Sequence, residues 1–188
     1  MKKLILLFIT AMLFLSSCNK DEVKKTESKP SEFVLDSIQR DFTREISNGS
    51  NGQFAVGYDF WVTDSGVINQ LALITPSTGS YKVYIENTDT EKKDSATINI
   101  TVADTGKVIY KSINPMIANA GDYFRISFND LDKPQYQYIK AGGMNHLYGH
   151  IRLKWYVFQQ TTSSVVGSPF GHSMDYTFGG VGFTYIKN

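Results

Sequence analysis

Cysteine is almost absent: Cys18 is the only one in 188 residues. An intrachain disulfide is therefore excluded, and the fold has to be held by its core. A surplus of charge of either sign is also lacking, with 19 Lys and Arg against 18 Asp and Glu. That balance excludes the basic footprint of a nucleic-acid binder and gives no long-range steering field. The chain has no G-x-S-x-G elbow, no H-E-x-x-H pair, no P-loop and no G-x-G-x-x-G, and no pair of carboxylates stands out as a glycosidase couple. The expectation is a protein without catalytic activity, cofactor or metal. Long apolar runs are missing too, with one exception at the start of the chain.

That exception is Leu4 to Leu15, broken only by Thr10, preceded by Lys2 and Lys3 and followed by Ser16, Ser17 and Cys18. A charged start, an apolar stretch too short to stay in a bilayer and a small-residue end form the layout of a secretory signal. Leu15-Ser16-Ser17-Cys18 resembles the lipobox of bacterial lipoproteins. The resemblance implies that residues 1–17 are removed and that Cys18 is acylated, anchors the chain to a membrane and is unavailable as a thiol nucleophile. Losing residues 1–17 removes Lys2 and Lys3 and no acidic residue, which leaves 17 basic against 18 acidic side chains.

Residues 18–32 follow as the acylated cysteine and a tether. The stretch 19–32 is charged and nearly free of bulky apolar groups, so burial cannot offset its ordering entropy. Lys20-Asp21-Glu22 resembles the charged post-cysteine signal of Bacteroidetes-type lipoproteins, which implies an outer-membrane protein exposed on the cell surface. An ordinary solvated linker has the same composition. Residue 19 is Asn rather than the Asp of an inner-membrane retention signal.

The remainder, 33–188, is expected to be one domain. Leu35, Ile38, Phe42 and Ile46 fit a helical stripe, but the Asn48-to-Gly52 turn cluster follows at once, and an extended lead-in packing on a sheet is the reading adopted. Beyond it, Phe54, Val56, Tyr58, Phe60 and Val62 alternate with other residues, as do Tyr81, Val83 and Ile85, then Ile98, Ile100 and Val102, then Phe124, Ile126 and Phe128, and finally Ile151, Leu153, Trp155 and Val157. This period of two marks half-buried strands. Turn clusters at Asp104-Thr105-Gly106 and Asn119-Ala120-Gly121-Asp122 separate them, a strand follows at Val108-Ile109-Tyr110, Ile68 to Ile74 is a more continuous apolar strand, and Tyr176 to Ile186 reads as one last strand. Twelve Phe and eleven Tyr, with no interleaved helices, point to an all-β, antiparallel sandwich with jelly-roll-like connections. Phe60, Ile100, Phe124, Ile126 and Trp155 are the expected core.

Gly57-Tyr58-Asp59-Phe60-Trp61-Val62, Gly66-Val67-Ile68-Asn69-Gln70-Leu71, Tyr81-Lys82-Val83-Tyr84-Ile85 and Ala120-Gly121-Asp122-Tyr123-Phe124-Arg125-Ile126 form an order that resembles the uncharacterised β-sandwich domains of bacterial surface proteins and of chains carrying glycoside hydrolases. Their layout is similar to that of carbohydrate-binding modules. The resemblance covers about residues 54–128. It implies a sandwich with a binding role and transfers no catalytic residue.

The candidate site lies on the outward parity of the strands. If Phe60 and Val62 face the core, Asp59 and Trp61 face away. By the same rule Tyr123 with Arg125, Tyr84 with Lys82 and Glu86, and Tyr156 with Arg152 and Lys154 point outward. An aromatic plane flanked by charged groups suits the apolar face and hydroxyl rim of a sugar, which makes Trp61, Asp59, Tyr123 and Arg125 the candidate ligand-binding set. The same residues also suit cross-strand pairing, or, for Trp61, cover by 33–46. His146 and His150 are four apart, with His172 later; a pair that size needs further ligands for zinc, and the adjoining glycines read as a loop. Asn87-Thr88-Asp89 and Asn129-Asp130-Leu131-Asp132 read as turns rather than calcium loops. The expected role is a lipid-anchored cell-envelope sandwich binding a glycan or an envelope protein. The rival is an accessory subunit docking on an envelope complex.

Overall fold

The computed structural model describes residues 35, 43–48, 52–139, 145–168, 170–178 and 180–188. The signal segment, Cys18, the 18–32 tether, Ile38 and Phe42 lie outside the described residues. The strands are β1 (Thr43–Ser47), β2 (Phe54–Val62), β3 (Gly66–Ile74), β4 (Gly79–Asn87), β5 (Lys92–Ile100), β6 (Ile109–Ala118), β7 (Tyr123–Asn129), β8 (Gln135–Ile139), β9 (Leu147–Tyr148), β10 (Ile151–Gln160), β11 (Gly171–Ser173), β12 (Tyr176–Phe178) and β13 (Gly180–Lys187). A 3-10 turn spans Val102–Asp104.

The large sheet has the order β11-β10-β2-β7-β4-β5, with β9 also on the edge of β10, and two three-stranded sheets run β13-β3-β6 and β1-β8-β12. Every pairing is antiparallel. The chain leaves the large sheet after β2, returns for β4 and β5, leaves again for β6 and returns for β7. These crossings build an all-β sandwich with the jelly-roll-like pattern expected from the sequence. Turn chemistry shapes the connections: in the β4–β5 hairpin the Asn87 side-chain oxygen accepts from the N–H groups of Asp89 and Thr90, and at the β6–β7 crossing Gly121 supplies a φ of 93°, a region that favours glycine.

One core cluster gathers residues from Leu35 to Tyr185 between the large sheet and the two smaller ones. Phe60 is its centre. Its ring stacks on Phe124 of the neighbouring strand at 5.3 Å and on Phe183 of β13 at 4.4 Å. Ile100, Phe124 and Ile126 are buried as expected.

Four expectations need correction. Trp155 is outside this core and only half-buried. Leu153 pairs with Phe60 but Trp155 pairs with Asp59, so Lys154 is an extra residue in β10. The bulge shifts the parity by one: Ile151 and Leu153 face the core, then Tyr156 does, while Trp155 and Val157 join a second apolar cluster with Ala55 and Val166. For the same reason Tyr156, expected to point outward, is buried. Third, the C-terminal segment is two strands in different sheets, β12 beside β8 and β13 beside β3; at Gly180 an added Cβ would lie 2.1 Å from the Ile74 side chain, so only glycine lets the strands meet there. Last, the lead-in is not extended throughout: Leu35 is helical and buried against Gly182 while β1 is a strand, and Ile46 is 60% exposed because, among the described residues, β1 lies at a sheet edge with only β8 beside it. The sequence reading also passed over β8, although its Gln-Tyr-Gln-Tyr alternation buries Tyr136 and Tyr138.

Candidate functional site

The outer face of the large sheet carries the four predicted ligand-binding residues, and it brings them together. Asp59 on β2 and Arg125 on β7 are register partners, as are Trp61 and Tyr123, so one face presents all four. The Trp61 and Tyr123 rings lie 5.3 Å apart at 49°.

Asp59 is wholly buried, and its carboxylate is the hub. Oδ1 accepts from Arg125 Nε at 2.7 Å. Oδ2 accepts from the Tyr123 hydroxyl at 2.7 Å, from Arg125 Nη2 at 2.9 Å and from the Trp155 indole N–H at 2.9 Å. A buried carboxylate persists only when paired and hydrogen-bonded, and here both oxygens are engaged. Burial works to lower the Arg125 guanidinium, but the hydrogen bonds and charge of Asp59 outweigh it and leave it raised. Burial pushes the Tyr123 hydroxyl above its ordinary range, reinforced by its bond to Asp59 and that negative charge. Asp59 thus positions the rings and guanidinium; its oxygens have no lone pair turned to solvent.

A segment after β10 explains the burial. Residues 161–168 and Phe170 fold back over the polar side chains of β7. The Ser127 hydroxyl donates to the Ser164 carbonyl, Asn129 Nδ2 to the carbonyls of Thr161 and Ser163, and Arg125 Nη1 to the carbonyl of Val166. Phe170 lies against the Arg125 guanidinium at 4.0 Å. The alternating Arg125, Ser127 and Asn129 therefore anchor a cover rather than face water. At Gly57, the register partner of Ser127, an added Cβ would meet the Ile126 carbonyl oxygen at 1.8 Å.

Beyond the cover, Trp61, Tyr123 and Trp155 remain half-buried, and the Lys154 ammonium lies 4.9, 4.7 and 3.8 Å from their ring centres. Arg152, the register partner of Trp61, is exposed. At the far end of β2 and β10, Phe54, Phe158, Phe170, Gly171, Gln159 and Gln160 line a shallow, open groove of about 350 Å³.

Sequence reasoning missed Trp155 as a site residue by placing it in the core. A signal was present: Trp155-Tyr156-Val157-Phe158 is an unbroken apolar run, which a strand needs only when both faces are covered.

The other candidates are spread over separate elements. His150 occupies the β9–β10 turn with its Nδ1 2.7 Å from Asp64 Oδ2, His146 lies beside Tyr148, and His172 on β11 packs on Trp155 at 4.9 Å. Among the described residues no three His, Cys, Asp or Glu converge as a metal site. Asn129 and Asp130 make turn bonds, accepting from the N–H groups of Leu131 and Asp132 respectively, and Asp130 also accepts from the Phe54 N–H at the start of β2.

No known family model matches the chain, and no curated protein is significantly similar to it.

Proposed function

We propose that this protein is a lipid-anchored lipoprotein of the bacterial outer membrane whose sandwich binds a glycan, without catalysis, through the outer face at Trp61 and Tyr123. The anchor rests on the Lys2-Lys3, Leu4-to-Leu15 and Ser16-Ser17-Cys18 order; the 18–32 tether, with its charged Lys20-Asp21-Glu22, holds the domain off the membrane on the cell surface. The observation that carries the binding reading is the Asp59 hub. Its carboxylate orients Tyr123, Trp155 and Arg125 at once, giving a pre-set aromatic platform with charged neighbours, the composition that holds a sugar ring.

The rival reading, an accessory subunit docking through a flat apolar patch, has less support. Among the described residues the exposed large hydrophobics Ile46, Val102, Ile117, Ile139, Leu147 and Met174 belong to six different strands, turns and loops rather than to one patch.

A glycan array probed with the full-length protein in detergent tests the reading. Binding to a restricted set of glycans is expected, with loss in Trp61→Ala at unchanged melting temperature. Equal binding by that variant would place the site elsewhere, and a protein partner captured through the same face in place of any glycan would replace the glycan reading.

A further inference from the structure

Lys154 is the extra residue of the β10 bulge, set between the Leu153–Phe60 and Trp155–Asp59 pairs. In a regular strand residues 154 and 155 point to opposite faces. Here the Lys154 ammonium lies 3.8 Å from the Trp155 ring centre, on the same face, and also reaches Tyr123 and Trp61. Bulges re-aim side chains in this way and concentrate beside binding sites.

The ammonium held there is not neutralised. Ring faces attract a cation through their quadrupole and carry no counter-charge. Among the described residues Lys154 makes no ion pair. Of the carboxylates on neighbouring strands and turns, Asp59 is paired with Arg125 and Glu86 with Lys93 at 3.2 Å, while Asp89 and Asp122 accept from the neutral donors of Tyr123, Asn87 and Asn119. Arg152, exposed beside Trp61, adds a second cation. An anionic group set against these rings would meet an ammonium that none of the described carboxylates pairs.

We infer that the ligand of this face is an acidic glycan, whose carboxylate or sulfate pairs with Lys154 while its sugar ring rests against Trp61. The inference deepens the glycan reading and rests on it.

The test uses full-length protein in detergent, titrated with oligogalacturonides and sulfated chondroitin oligosaccharides, each beside its neutral counterpart made by methyl esterification or by desulfation with carboxyl reduction. At least one acidic oligosaccharide should bind about tenfold to a hundredfold more tightly than its neutral form, the size of one charge-assisted hydrogen bond, and the difference should shrink with added salt. Lys154→Gln should abolish that preference, so that the acidic and neutral forms bind it equally. Equal binding of acidic and neutral forms overturns the acidic-ligand inference while the glycan reading stands. A preference that survives Lys154→Gln assigns the charge recognition elsewhere and also overturns it. Binding of no oligosaccharide in either form overturns both.

Discussion

Leu153 and Trp155, two residues apart on one strand, face opposite sides of the large sheet. Leu153 is fully buried in the main core, whereas Trp155 donates its indole N–H to Asp59 on the outer face. The bulge at Lys154 separates them. A single extra residue thus delivers an indole, an ammonium and a hydrogen bond to the face that carries Trp61 and Tyr123.

Asp59→Ala should be strongly destabilising. It leaves the Arg125 guanidinium, whose side chain is only 13% exposed, without a partner, and breaking one side of a buried ion pair costs about 3–5 kcal/mol. Chemical denaturation measures this. In a double-mutant cycle Asp59→Ala and Trp155→Phe should couple by about 0.5–3 kcal/mol, since they share one hydrogen bond. Simple additivity would mean that the indole does not bond Asp59 in solution.

Phe60→Ala should cost about 3–5 kcal/mol, as a central aromatic stacked on two others. Trp155→Phe should cost less, about 1.5–3 kcal/mol, the loss of a hydrogen bond to a charged group at a half-buried position. The ranking is the measurement. If Trp155→Phe proved the more damaging, Trp155 would be a core residue and the bulge would be misplaced.

Acid should uncover Asp64. Hydrogen bonds from Lys187, His150 and Thr63 lower its carboxyl from 3.8 to about 2. With the folded-state value below that of the unfolded chain, its stabilising contribution is complete above about pH 4 and is lost as pH falls through about 2. Asp64→Asn should therefore melt below the wild type at neutral pH, with the gap closing between pH 4 and 2. A gap independent of pH over that range would remove the ion cluster from the account.

Cys18→Ala should leave the protein unlabelled by palmitate and in the aqueous phase of a detergent partition. Two or three acyl chains, at about 0.8 kcal/mol per buried CH₂, anchor stably. A lipid-labelled variant would overturn the proposed anchor.

Much of this was legible along the chain. Alternation over a few residues is a local property, so β2, β4, β5 and β7, their buried faces and the Asn and Asp turns between them follow from neighbours in sequence. The outward set Asp59, Trp61, Tyr123 and Arg125 follows as well, because parity within one unbroken strand assigns every side chain once one is known. Only the tertiary structure decided the rest. A bulge resets parity, and its position depends on pairing with β2 and on what covers each face of β10. Those partners are remote: Trp155 and Asp59 are 96 residues apart, and the cover over Ser127 and Asn129 comes from residues 161–166. No local pattern encodes which distant carboxylate an indole will meet, and that meeting is what turned an expected core tryptophan into part of the outer-face platform.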